Sequence, residues 1–130
     1  MTNINFQSII ERNFTFLNNK VEKEVFNSNQ RNEAIVYYFD NFDLAFYQDY
    51  DKFQIQFIAK NKVAIDSIIL LNYIESTKVF DYNISQITGK INNLWSRIPH
   101  YFTEKQVNKT IQETKKLKKL YQKKSGNLGI

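Results

Sequence analysis

Cysteine is missing from this 130-residue chain, histidine and proline occur once each, and glycine only three times. Without cysteine there is no disulfide framework, no thiolate nucleophile and no Cys-based zinc site. Gly89, Gly126 and Gly129 are too few and too scattered for a dinucleotide fingerprint or a phosphate-cradling loop. A single His100 excludes paired-His metal sites and leaves one candidate for acid–base work near neutral pH. It follows Pro99 between two helical patterns, where an exposed or capping turn residue is the simplest account. No run approaches the ~18 apolar residues of a membrane span, and the opening Met-Thr-Asn-Ile-Asn-Phe-Gln lacks the basic start and apolar core of a signal peptide. A cytoplasmic, non-enzymatic protein without a cofactor, a metal or a membrane partner is therefore expected.

Aromatic residues are abundant by contrast, with 11 Phe and 8 Tyr in a chain that is 42% hydrophobic, enough to build a globular core. The length fits a single domain, residues 1–130. Plentiful Asn, Ile, Lys, Phe and Tyr match the usage of an AT-rich bacterial genome, so Asn and Lys carry less weight than their numbers. The net charge of +5 is unevenly placed: residues 103–124 hold eight Lys against Glu104 and Glu113, so the rest is close to neutral.

Apolar spacing organises the chain. Phe6, Ile9, Ile10, Phe14 and Leu17 form one stripe, which predicts a helix over about Asn5 to Asn19, capped by Asn3 or Asn5 and ended by Asn18-Asn19. Val21, Val25 and Phe26 fit a short strand or a loop equally. Three strands follow, over Glu33 to Phe39, Phe42 to Gln48 and Phe53 to Lys60. The first two are joined by an Asp40-Asn41 turn, and Asp49 to Lys52 lie before the third. In the third, Phe53, Ile55, Phe57 and Ala59 alternate with Gln54, Gln56 and Ile58, so one face is core and the other wetter. Connections this short force an antiparallel meander.

Residues 62–75 read either as a fourth strand or, preferably, as a helix capped by Asp66-Ser67 and carrying Ile68, Leu71 and Ile74. A further helix spans Asn83 to Arg97, with Gly89 inside it and Pro99 stopping it. A basic last helix of about 103–124 begins with Thr103 and Gln106 at capping-box spacing and carries Val107, Ile111, Leu117, Leu120 and Tyr121 on its apolar side. Residues 125–130 read as a frayed tail. The expected fold is α+β: an N-terminal helix, a small antiparallel meander of three or four strands, and two to three C-terminal helices packed on one face.

Four carboxylates, Asp40, Asp43, Asp49 and Asp51, fall within twelve residues. The two turns lie at opposite ends of the middle strand, about 20 Å apart at ~3.4 Å per residue, so the four cannot share one metal ion. Their spacing also lacks the Gly and closing Glu of a calcium loop. Turns favour Asp on their own account. Yet Tyr37, Tyr47 and Tyr50 lie on or beside the same turns, and Tyr among carboxylates suits an interface facing a basic protein. The candidate partner-binding residues are Asp40, Asp43, Tyr47, Asp49, Tyr50 and Asp51. The Lys-rich C-terminal helix gives an alternative, a small nucleic-acid-associated or regulatory protein; against it, the helix holds no Arg cluster and no groove-reading motif.

Phe14-Thr15-Phe16-Leu17, then Val25-Phe26, then Val36-Tyr37-Tyr38, a turn, and Phe53-Gln54-Ile55-Gln56-Phe57-Ile58 resemble the front half of small bacterial immunity-type proteins, which are encoded beside polymorphic toxins. The resemblance covers residues 14–60 and rests on hydrophobic core positions. It implies a non-catalytic protein that binds and blocks a cognate toxin through its acidic turns or its exposed sheet face. It transfers no functional residue, because such families bind through divergent surfaces.

Overall fold

The computed structural model describes residues 6–17, 23–27, 32–49 and 52–124. The fold is α+β, with four α-helices and an antiparallel sheet among the described residues. The chain divides into two compact units, residues 1–64 and 65–130.

In the first unit, helix α1 spans Phe6–Asn13, shorter than the apolar stripe predicts. Asn13 Nδ2 donates to the Ile9 carbonyl at 2.9 Å, a local bond that competes with helix continuation. The next residues tighten into a 3-10 turn, Thr15–Leu17, closed by the Leu17 N–H on the Phe14 carbonyl. At three residues per turn Phe14 and Leu17 come to one side, and both are buried. The proposed caps at Asn3, Asn5, Asn18 and Asn19 lie outside the described residues.

The sheet contains β1 (Lys23–Asn27), β2 (Asn32–Tyr38), β3 (Phe42–Asp49), β4 (Lys52–Ala59) and the three-residue β5 (Ala64–Asp66), in chain order. Of the segment that fitted strand or loop, Val25 and Phe26 lie in a strand, β1, antiparallel to β2, and Val21 lies outside the described residues. Tyr38 pairs with Asp43 and the Phe39 N–H reaches the Phe42 carbonyl at 3.0 Å, so Asp40-Asn41 is the two-residue hairpin tip expected. After β4, the Asn61 carboxamide accepts the Val63 N–H and Lys62 takes a positive φ of 74°, which turns the chain toward β5.

Register sorts the side chains into two faces. Ile35 and Tyr37 on β2, Phe42, Leu44 and Phe46 on β3, and Ile55, Phe57 and Ala59 on β4 share one face and are all buried. Phe46 is the hub of this face, with Phe14 at 4.8 Å and Tyr37 at 5.8 Å, both edge-on. Burying each such ring contributes roughly 1.5–3 kcal/mol.

In the second unit, α2 (Ser67–Glu75) starts where expected: Asp66 Oδ1 accepts the Ile68 N–H at 2.9 Å. Ile69, Leu70, Leu71 and Ile74 are buried, so the helix is apolar on several sides, as a fully buried helix must be. It ends at Ser76, whose left-handed backbone lets its N–H reach the last carbonyls. Helix α3 (Ile84–Leu94) opens with a full capping box between Asn83 and Gln86, at 2.8 and 2.9 Å. A 3-10 turn, Ile98–Phe102, follows at Pro99. Helix α4 covers Val107–Lys124, so it starts four residues later than its sequence signal. The Thr103 hydroxyl donates to the His100 carbonyl and so makes a turn in place of the expected capping box. Two threonines join Ile111 on its buried side: Thr110 donates to the Tyr101 carbonyl at 2.7 Å, and Thr114 to the Thr110 carbonyl. Helix α2 packs with α3 and α4. No helix among the described residues is long and apolar enough to cross a membrane.

Candidate protein-binding face

Of the six candidate residues, the structure brings two together. Asp43 and Tyr47 are four apart on β3, hence on the same face and about 14 Å apart along the strand at ~3.4 Å per residue. This is the face opposite the Phe46 hub. Asp40 stands apart, exposed at the hairpin tip. The backbone of Asp49 ends β3 opposite Lys52, but its side chain lies outside the described residues, as do Tyr50 and Asp51.

Asp43 corrects the sequence reading in one respect. It looked like a solvated turn carboxylate, yet it is a strand residue only 9% exposed. Its alternation with buried Phe42 and Leu44 sends it to the second face, between Tyr38 on β2 and Ile58 on β4. Asp43 Oδ1 is buried without a hydrogen bond, and Lys60 Nζ stands 3.5 Å away on a side chain that is itself half-exposed. The carboxylate is thus held by one long, solvent-facing ion pair. Such a pair contributes at most about 1 kcal/mol.

Ala45 lies at the centre of this face and is buried. Around it stand Val36, Tyr38, Tyr47 and Ile58, all half-buried, while Gln54 and Gln56 take the β4 positions between. Burial pushes the Tyr47 phenol above its ordinary pKa. The alternation in β4 had marked this as the wetter face. What it could not show was Tyr38 directly opposite Asp43 on the face that also carries Tyr47, since that needs the register between strands.

Elsewhere, His100 is exposed in the 3-10 turn, its ring edge-on to Tyr101 at 5.2 Å. Tyr73 has its pKa raised by burial, then by the Glu113 charge and Tyr101, whose ring is 5.7 Å away. Lys90 donates to Glu75 at 2.7 Å and lies over the Tyr82 ring; the bond to Glu75 raises its pKa against partial desolvation. These groups are paired with one another. Among the described residues no three His, Cys, Asp or Glu converge as metal ligands would.

Comparison of the chain with protein-family models, curated proteins and solved structures finds no match. The geometry of the site therefore carries the functional reading alone.

Proposed function

We propose that this protein is a non-catalytic binding module of the immunity or inhibitor kind, which neutralises a cognate bacterial toxin by covering it with the half-exposed face of its sheet. The observation that supports this most is the placing of Tyr38, Asp43 and Tyr47 on one face around Ala45. Tyrosine is enriched at interface centres, and on this face Tyr38 lies directly opposite a carboxylate whose Oδ1 is buried without a hydrogen bond, with Tyr47 further along the same strand as that carboxylate. The under-satisfied Asp43 favours a partner that offers a cationic side chain, which would displace Lys60. Asp40 at the exposed hairpin tip adds negative charge at the rim, where it acts on association rate more than on affinity.

The test is calorimetric titration of the purified chain with the protein encoded beside it. Tyr47→Ala and Asp43→Asn are each expected to weaken binding about 30-fold or more, the size of an interface hot spot of ~2 kcal/mol, and Asp40→Asn by a few-fold. Unchanged affinity for the two face variants, with circular dichroism intact, removes this face from the account. A neighbour-encoded protein that does not bind at all overturns the immunity reading itself.

A further inference from the structure

The two units differ sharply in charge. Residues 1–64 hold 7 Lys and Arg against 8 Asp and Glu, whereas residues 65–130 hold 11 against 5. Most of the excess lies on α4, and the structure shows how it is displayed. Thr110, Ile111 and Thr114 face inward, and Phe80 stacks on Tyr121 at 4.7 Å further along. On the opposite side, Asn108, Lys109, Gln112, Lys115, Lys116 and Lys119 are all exposed. At 3.6 residues per turn these six fall within an arc of about 120°, and Lys109 to Lys119 spans about 15 Å. Of the lysines on this arc, only Lys116 has a carboxylate among the described residues, Glu113 at 3.2 Å. Lys115 and Lys119, and likewise Lys116 and Lys119, sit at the three-and-four spacings where like charges repel, and Glu113 offsets the charge of Lys116 alone among the described contacts.

We propose that this arc of α4 binds the phosphate backbone of nucleic acid without sequence preference. Its composition separates that occupant from an acidic protein. Interfaces between proteins are depleted of Lys and more apolar at their centre, and this arc has no apolar side chain. A phosphate backbone needs only point charges and neutral hydrogen-bonding groups, which lysines interleaved with Asn108 and Gln112 supply. Over 15 Å of duplex axis about nine phosphate charges pass, at one per ~1.7 Å, so four lysines can each meet one. The lack of Arg in the arc fits contact with backbone and not with base edges, where Arg dominates. This site lies on a different unit from the sheet face, so each proposal can fail without the other.

The experiment is fluorescence anisotropy of the full chain with two unrelated 20-base-pair duplexes, from 50 to 200 mM KCl. Four phosphate contacts predict log K against log salt falling with a slope of about −3 to −4, or at least about 60-fold across that range. The triple variant Lys109→Gln, Lys115→Gln, Lys119→Gln should flatten the slope to about −1. The same three positions changed to Arg should keep the parent slope, with circular dichroism confirming both folds. Equal binding by the Gln variant and the parent overturns the proposal. So does a preference above tenfold between the two duplexes, or poly-glutamate of matched charge binding as tightly as DNA, which assigns the arc to an acidic protein.

Discussion

Replacing Asn72 with alanine should cost more than any other single polar change in the second unit. Asn72 lies in α2 at 1% exposure and uses all four of its hydrogen-bonding positions. Its Nδ2 donates to the carbonyls of Ile68 and Val79, both at 2.8 Å. Its Oδ1 accepts the Thr77 hydroxyl at 2.7 Å and the Val79 N–H at 2.8 Å. The side chain thus holds the segment after α2 as a neighbouring strand would, leaving the Val79 side chain 48% exposed while its peptide groups are fully paired. Ile68 is one α-helical turn before Asn72, so its carbonyl keeps a backbone partner when the carboxamide goes. The three other bonds do not. At about 1 kcal/mol net for each, Asn72→Ala should destabilise by ~3 kcal/mol. With a urea m-value of about 1.5 kcal/mol/M, the midpoint should fall by ~2 M at unchanged m. Hydrogen exchange gives a local check, because the Val79 amide should lose its protection. Thr77→Val removes one bond and should cost ~1 kcal/mol. A midpoint shift below 0.5 M for Asn72→Ala (roughly, on the same m-value), or a Val79 amide exchanging as fast in the parent as in the variant, refutes the clamp.

Three further changes follow from single features. Gly89 sits inside α3 with nothing within 4 Å of where a Cβ would be, so Gly89→Ala should raise stability by about 1 kcal/mol in the same urea assay. Ser67 is buried with its hydroxyl lacking a partner, so Ser67→Ala should leave the urea midpoint unchanged or raise it. Tyr37 has its phenol pKa raised, first by burial and then by the Glu11 charge. The native state therefore prefers the neutral phenol more than the unfolded chain does. The resulting stability is fully present below pH ~10 and is lost as pH rises through the native pKa. Urea midpoints at pH 9, 10 and 11 should fall less steeply for Tyr37→Phe than for the parent, and parallel curves would show the phenol is not the group involved.

The sequence carried much of the architecture because its signals were local. Alternation in Phe53 to Ala59 gave β4 and its two faces, and Asp66 and Asn83 sat one residue before the helices they start. Errors arose where a polar side chain chose a partner not fixed by spacing. Asn13 turned back on Ile9 and shortened α1, while Thr103 bonded the His100 carbonyl and delayed α4. Asn72 gave no signal at all, since three of its four partners come from the following loop. The site was half legible for a similar reason. Tyr47 and Asp43 were chosen for their nearness to turns, but what brings them together is their shared parity on β3 and the strands on either side.

The order of the sheet also has a consequence in time. Strands β1 to β5 lie side by side in the order in which they are made, so each finds its neighbour within some 20 residues of chain. Contacts this local give fast folding, with hairpins closing in about 1–10 μs. The start of α4 leaves the ribosome about 40 residues after the end of β5, a delay of roughly 2–8 s at 5–20 residues per second. The strands thus have time to pair long before the cationic helix exists, and a nascent chain would present its tyrosine face to the cell before its lysine arc.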